Sequence, residues 1–556
     1  MALKTRMKKY QPHIVYGILS LAIMLPLLKP GFVLTLDMVF TPHIRMPSDV
    51  TSSYLFYTLL HLLNVIVPSD VLQKVMLLTI PYLSGWGMYR LVQYVHDKQT
   101  RDPDSINWGA YVGGLFYAVN PFVYSRFMAG QFAVLLGYSL LPFAVHGLLV
   151  LLQRPNWRNS IVLGVWLTLI GIVSIHTLGS IAVLLAIAIL LLVWRNRHHG
   201  DQLLRTLKFL GLSLALMVVL SGYWLVPLVL GHGATAQALN GFTSGDQQAF
   251  ETLGGSPIGR LANVLRLQGF WAEGHDLFRM PQAHMIGWGL IVLALWLLIA
   301  VGVRNAWRRH ERFIVVLLTA SAGVGVLLAI DVANTALGNV LPFFSGFREP
   351  QKFVALVALA YAFFAGQGVN ALRSYYIYAD QWTRATVALA VALLLPILIT
   401  PTMFWGFGGQ LQSHQYPVTW VAMNERLNKD HANYNVLFLP WHLYMYYGFV
   451  GRITASPATN YFDKPMIVSN QMELKDASPT SIDSRKTLLS NTILPKAGTG
   501  THLGIQLAPL RIKYVLLDKD DDYLKYAYLN HQTDLRLLTN NANFVLYQNM
   551  AYRSTP

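Results

Sequence analysis

Asp37 is the one carboxylate in the otherwise apolar stretch Lys29-Pro30-Gly31-Phe32-Val33-Leu34-Thr35-Leu36-Asp37-Met38-Val39-Phe40-Thr41-Pro42-His43-Ile44-Arg45. An ionised carboxylate beside lipid is costly unless it is paired or used, which marks it as a candidate site. Two plainer roles compete: capping a short interfacial helix, or pairing with Arg45. A second group, Phe347-Arg348-Glu349-Pro350-Gln351-Lys352-Phe353, sets two cations about one carboxylate. An arginine can fork onto two phosphate oxygens and a lysine supplies a point charge, so Arg348 and Lys352 read as ligands for a lipid phosphate. The alternative is internal pairing through Glu349, itself a candidate sugar or acceptor contact. Arg126, with His43 and Arg45 in the first stretch, completes the set of candidate phosphate-binding residues. Asp246, Glu251, Glu273 and Asp276 are candidate acids for sugar contacts, and Trp271 offers a ring to stack on a sugar face.

Asp49 is the rival of Asp37, but Pro47-Ser48-Asp49-Val50 recurs as Pro68-Ser69-Asp70-Val71, each before an apolar run. Both tetrapeptides read as helix N-terminal caps. Between them Tyr54, Thr58, His61 and Asn64 or Val65 fall at helical spacing on a segment too short to span. It reads either as one wall of a groove for a lipid substrate or as a plain interfacial helix.

The elements that must position these residues are set by hydropathy. Of the 556 residues, 54% are hydrophobic and 12% charged, about half the charge content usual for soluble domains. Runs able to cross the hydrocarbon core begin near His13, Val71, Trp108, Gln131, Ile161, Ser180, Leu207, Met285, Phe313, Phe353 and Ala385, predicting about 11 transmembrane helices over residues 1–405. Ile161 to Trp194 is nearly unbroken, and about 34 residues exceed even a tilted helix, so it reads as two spans turning at Ser174 to Gly179. Lys4, Arg6, Lys8 and Lys9 precede an apolar run with no Ala-x-Ala type site after it, which predicts a retained signal anchor.

A cytoplasmic N-terminus puts Lys98, Arg101, Arg154, Arg158, Arg195, Arg197, Arg304, Arg308, Arg309, Arg373 and Arg384 all inside. The long connections at about 29–70 and 231–284 then lie outside with residues 406–556. There the apolar runs shorten to strand length, as in Asn435 to Pro440 and Ile512 to Leu517. A helix from Asp522 to Leu529 and a hairpin pairing Leu535 to Leu538 with Phe544 to Tyr547 complete a small extracytoplasmic α/β domain.

The formal charge of +16 is dispersed among short loops, which is membrane topology rather than a nucleic-acid surface. Zero cysteines exclude disulfides and thiolate chemistry. No cofactor is required by any motif, and a divalent metal is not indicated. Asp518-Lys519-Asp520 and Asp520-Asp521-Asp522 mimic the DxD motif of nucleotide-sugar enzymes, but they follow a strand and precede a helix, where acidic caps are expected. His146 and His176 read as structural histidines on apolar spans.

The order of an N-terminal helix, a first outer loop with an Asp and an interfacial helix, many further spans and an outer tail resembles the GT-C class of integral-membrane glycosyltransferases, including its arabinofuranosyltransferase branch. The resemblance implies transfer of a sugar from a polyprenyl-phosphate donor to a glycan, lipid or protein acceptor at the plasma membrane, with inversion. It also implies a carboxylate base in the first outer loop, and by position Asp37 is that residue. An adjacent acidic pair at that point and a Trp-Trp-Asp type signature in the tail, found in other branches, are both absent. The alternatives are a transporter or flippase of lipid-linked glycan, which should show repeated halves and mid-span charges, and a non-catalytic envelope assembly protein.

Overall fold

The computed structural model describes residues 2–97, 106–240, 248–331, 344–471 and 483–553; Lys98, Arg101 and Asp246 lie outside the described residues. The main helices are α1 (Ala2–Met24), α2 (Tyr54–Asn64), α3 (Ser69–Asp97), α4 (Trp108–Ala118), α5 (Pro121–Met128), α6 (Phe132–Gln153), α7 (Trp157–Val173), α8 (Ile175–Arg195), α9 (Gly200–Leu220), α10 (Trp288–Arg308), α11 (Arg312–Ala329), α12 (Val354–Tyr378), α13 (Trp382–Ile399) and, in the tail, α14 (Val418–Asn428).

Among the described residues, eight helices are long and apolar enough to cross a membrane, fewer than the eleven expected. Each expected run does coincide with a helix. The Trp108 run, however, breaks into α4 and α5 because Asn120 caps α5 by accepting from the Val123 amide at 3.1 Å and Pro121 opens it. α7 has only 17 residues, and α3, though 29 residues long, carries Asp70, Lys74, Arg90 and Asp97 along its length. The break between α7 and α8 falls at Ser174, whose Oγ accepts from the Thr177 amide at 3.2 Å, as the two-span reading requires. α12 is the central post, buried from Val354 to Ala360 and from Ala362 to Asn370. It packs on α10, α4 and α11 through a surface rich in alanine and glycine that lets helices approach closely in lipid.

Of the two Pro-Ser-Asp-Val tetrapeptides, the second opens a helix and the first does not. Asp49 does not cap α2, which begins five residues later at Tyr54 with Ser53 as its flanking residue. Asp70 sits in the first turn of α3, where it accepts from the Gly31 amide at 3.2 Å and pairs with Lys74 at 3.1 Å. The C-terminal part of the α2 stripe meets its own loop: His61 Nδ1 lies 2.6 Å from the Ile44 carbonyl, and Asn64 accepts from the Ile44 amide at 2.7 Å.

The tail is built on a five-stranded sheet. With β1 (Phe32–Val33) and β2 (Ser413–His414) forming a short ladder between loop and tail, the sheet strands are β3 (Asn435–Leu439), β6 (Met466–Ile467), β7 (Ile512–Asp518), β8 (Leu535–Asn540) and β9 (Phe544–Asn549), in the order β6-β3-β7-β9-β8. β3 runs parallel to β6 and β7, and the β8–β9 hairpin is antiparallel. Strand alternation divides the side chains. Val436, Phe438, Leu516, Phe544 and Leu546 join one core continuous with the helical bundle, while Leu437, Leu439, Val515, Leu517 and Val545 face a second core. The expected helix from Asp522 is a 3-10 helix over Tyr523–His531. A separate hairpin of β4 (Tyr444–Tyr447) and β5 (Arg452–Ala455) reaches from the tail back to the first loop.

Candidate active site

Asp37 stands on a tight turn. Thr35 and Met38 exchange backbone hydrogen bonds of 3.2 and 2.7 Å, leaving Leu36 and Asp37 at the two central positions. Leu36 takes φ of 29°, a left-handed conformation that a leucine adopts only when its surroundings impose it. Here β5 imposes it: the Leu36 amide donates to the Ile453 carbonyl at 3.3 Å and its carbonyl accepts from Ala455 at 2.8 Å. On the other side the Asp37 amide donates to the Ala129 carbonyl at 3.1 Å. Gly130, at φ of 72°, is what allows this approach, since a Cβ there would lie 2.5 Å from both the Met38 nitrogen and the Thr35 carbonyl oxygen.

Asp37 has an exposed edge at the floor of a recess, where its carboxylate is crowded on the other side by protein. Its Oδ1 accepts from the Tyr444 hydroxyl at 2.6 Å and its Oδ2 from Gln131 Nε2 at 3.3 Å. Burial pushes its pKa above the ordinary aspartate range; the Tyr444 hydrogen bond opposes that rise, the nearby charge of Glu349 adds to it, and Gln131 and Lys352 oppose it. Burial, with the charge of Asp37, also raises the Tyr444 phenol, so this side chain keeps its proton and donates.

Behind Asp37 the second sequence group arrives. Gln131 Nε2 also donates to Glu349 at 3.1 Å, and its Oε1 accepts from Arg126 at 2.6 Å. Glu349 pairs with Arg126 at 3.0 Å through one oxygen and with Lys352 at 3.2 Å through the other. Burial acts to raise Glu349, but Lys352 and Arg126 outweigh it and hold the carboxyl well below its usual range. Arg126 is fully buried, its guanidinium 4.0 Å from the Phe270 ring centroid. Arg348 is half-buried over Phe250 at 4.6 Å. Two cations against Glu349, with Arg348 beside them, leave this side of Asp37 positive.

The remaining candidates lie elsewhere. Arg45 and His43 sit in the field of Asp463 in the tail, and Asp37 has no ion pair with Arg45. Glu251 pairs with Arg260 at 2.5 Å. Trp271 is enclosed by Phe250, Phe270 and His275, so its ring has no open face for a sugar. Glu273 lies in the field of Arg126 and accepts from the Gly269 amide at 3.0 Å; burial pushes it up to about 7. Asp276 is exposed.

Several residues at the site were passed over in the sequence. His176, read as structural, stands edge-on to Phe347 at 5.6 Å and in the field of Glu349. Tyr444 carries no local signal. Its hairpin is held by the acidic run that resembles a DxD motif: Asp521 accepts from the Tyr446 amide at 3.3 Å, Asp520 from Gly448 at 3.2 Å, and Asp522 pairs with His442 at 3.0 Å. Among the described residues no group of three or more His, Asp or Glu is placed to hold a metal ion.

The arrangement of bundle, turn and tail superposes on the cryo-EM structure of arabinofuranosyltransferase AftD from mycobacteria, with a TM-score of 0.64 and 15% identity over 97% of this chain. The likeness is one of fold, at low sequence identity. Two structures of an AftD mutant align with TM-scores of 0.60 and 0.53. The chain spans about 40% of the length of these structures. No protein-family model matches it. By sequence it is 29% identical over 216 residues to an undecaprenyl-diphosphatase of Synechococcus sp. (strain RCC307), which covers 37% of this chain and 67% of that protein.

Proposed function

We propose that the protein is a membrane glycosyltransferase that moves a sugar from a polyprenyl-phosphate donor to an extracytoplasmic glycan, lipid or protein acceptor. The observation that carries this reading is Asp37: an accessible carboxylate, on a turn of imposed geometry, with a raised pKa and a positive group behind it. The arabinofuranosyltransferase fold supports the reaction class, and the partial likeness to an enzyme named for a polyprenyl diphosphate supports the class of lipid.

In the proposed step the acceptor hydroxyl attacks the anomeric carbon opposite the phosphate, and Asp37 takes its proton. The new C–O bond forms as the bond to the phosphate oxygen breaks, leaving polyprenyl phosphate with that electron pair and inverting the configuration. A positioned base is worth about 10² to 10⁴ in rate. Arg348 and Lys352 stabilise the departing phosphate, with Arg126 holding Glu349 from its buried position. No cofactor enters this step.

The topology follows the charge. His96 at the end of α3 lies in the field of Arg309 and Arg373, Tyr94 in that of Arg154, and Arg195 lies against Phe313. These arginines gather at the end of the bundle away from Asp37, which supports a cytoplasmic N-terminus and an outer-facing tail in the plasma membrane.

The test is transfer of radiolabelled sugar from a panel of polyprenyl-phosphate donors by wild type and Asp37→Asn, with folding of both checked by size exclusion. Transfer that falls by about 10² or more in the variant supports the assignment; transfer that survives intact removes Asp37 as the base.

A further inference from the structure

A cavity of about 1080 Å³ opens at the opposite end of the bundle from Asp37. α6 begins beside Gln131 and ends at Gln153, on the cavity wall; its 22 residues span about 33 Å, close to the thickness of a bilayer core. The cavity lies among the final turns of α3, α6, α8 and α10 and the first turns of α9 and α11.

Its walls divide by chemistry. Leu149, Leu152, Leu192 and Ile314 make the part toward the membrane interior apolar. Toward the bundle end stand Trp194 and Trp307, both exposed, the side chains favoured at the headgroup level of a bilayer. With them are Arg195, its guanidinium 6.0 Å from the Phe313 ring, and Arg312, 5.7 Å from the Trp307 ring. Among the described residues neither arginine is within ion-pair distance of a carboxylate, Glu311 on the same wall included.

We propose that this cavity is a binding site for an anionic phospholipid, with acyl chain against the leucines of α6 and α8 and phosphate held by Arg195 and Arg312. A water-soluble anion would satisfy the arginines but leave the apolar wall wet. A zwitterionic lipid would fill that wall but bring a cation of its own beside the two arginines, leaving their charge only partly balanced. An anionic lipid meets both demands, and basic pockets between membrane helices are suited to such headgroups. The proposal is independent of sugar transfer, because no residue of the cavity belongs to the Asp37 site.

The test is native mass spectrometry of the full chain in detergent with equimolar dioleoylphosphatidylglycerol and dioleoylphosphatidylcholine. Wild type should retain the anionic lipid with a preference of roughly 25-fold, about fivefold for each arginine. Arg195→Gln with Arg312→Gln should bring the preference close to parity. Leu192→Trp, which fills the apolar part and leaves both arginines, should lower retention of phosphatidylglycerol. Equal retention of the two lipids by wild type overturns the proposal without recourse to any variant. Displacement of phosphatidylglycerol by excess inorganic phosphate overturns it as well, in favour of a free-anion site.

Discussion

The Tyr444 hydroxyl donates a 2.6 Å hydrogen bond to Asp37 across 407 positions of sequence, so the candidate base is completed by a side chain from the tail. This bond favours the charged carboxylate and opposes the rise in pKa caused by burial. Removing it in Tyr444→Phe therefore moves the pKa of Asp37 further up. Because a base must be deprotonated, the acid limb of the rate profile should shift to higher pH, by up to about one unit for the loss of one charge-assisted bond. A profile of sugar transfer against pH that superposes on the wild-type curve would rule out this coupling.

Asp520 and Asp521 act on the same bond at one remove, by holding the amides of Gly448 and Tyr446 on the hairpin that carries Tyr444. Asp520→Ala with Asp521→Ala should lower transfer by about tenfold, roughly what one lost hydrogen bond to a charged group costs. In a Tyr444→Phe background the same pair should cost much less, since residues acting through one contact are not additive. Equal losses in both backgrounds would show that the aspartates act by another route.

What was legible in the chain follows from how local each signal is. Asp37 stood out because charge in an apolar segment is visible without a fold, and Arg348-Glu349-Lys352 because its members are three or four residues apart. The strands at Val436 to Leu439 and Val515 to Leu517 were visible as short apolar runs whose alternate residues fill two cores. Tyr444 was invisible because its partner is set by docking of the tail through Leu36 and β5. Trp271 misled because an aromatic residue in a long polar loop looks exposed, whereas Phe250 and Phe270 enclose it. The split of α4 from α5 was hidden by hydropathy, although Asn120-Pro121 carried the cap and the N1 proline that cause it.

Glu349 is paired with two buried cations, and its removal should be felt in stability before chemistry. In Glu349→Gln the amide cannot balance Arg126 and Lys352, and leaving buried charges uncompensated costs about 3–5 kcal/mol. The unfolding temperature of the purified protein should drop accordingly. Adding Lys352→Met should recover part of the loss, because one of the two stranded charges is gone. An unchanged unfolding temperature in Glu349→Gln would mean that water or another group already balances the pair.

Glu273 gives the structure a pH dependence of opposite sense to that of an ordinary salt-bridged acid. Burial lifts its folded pKa to about 7, above the usual 4.5 of a free glutamate. Between those two values the folded state holds a proton that the unfolded chain has released, so stability from this group is full below the lower value and lost as pH rises through the upper one. The field of Arg126 and the Gly269 amide limit the loss but do not reverse its sign. Glu273→Gln fixes the neutral form and keeps an oxygen for the Gly269 amide. Its unfolding temperature should match wild type near pH 4.5 and exceed it above pH 7, where the wild-type carboxylate is charged. A variant less stable than wild type at the higher pH would show instead that the ionised Glu273 is a net partner of Arg126, and would make it a fifth charge of the site behind Asp37.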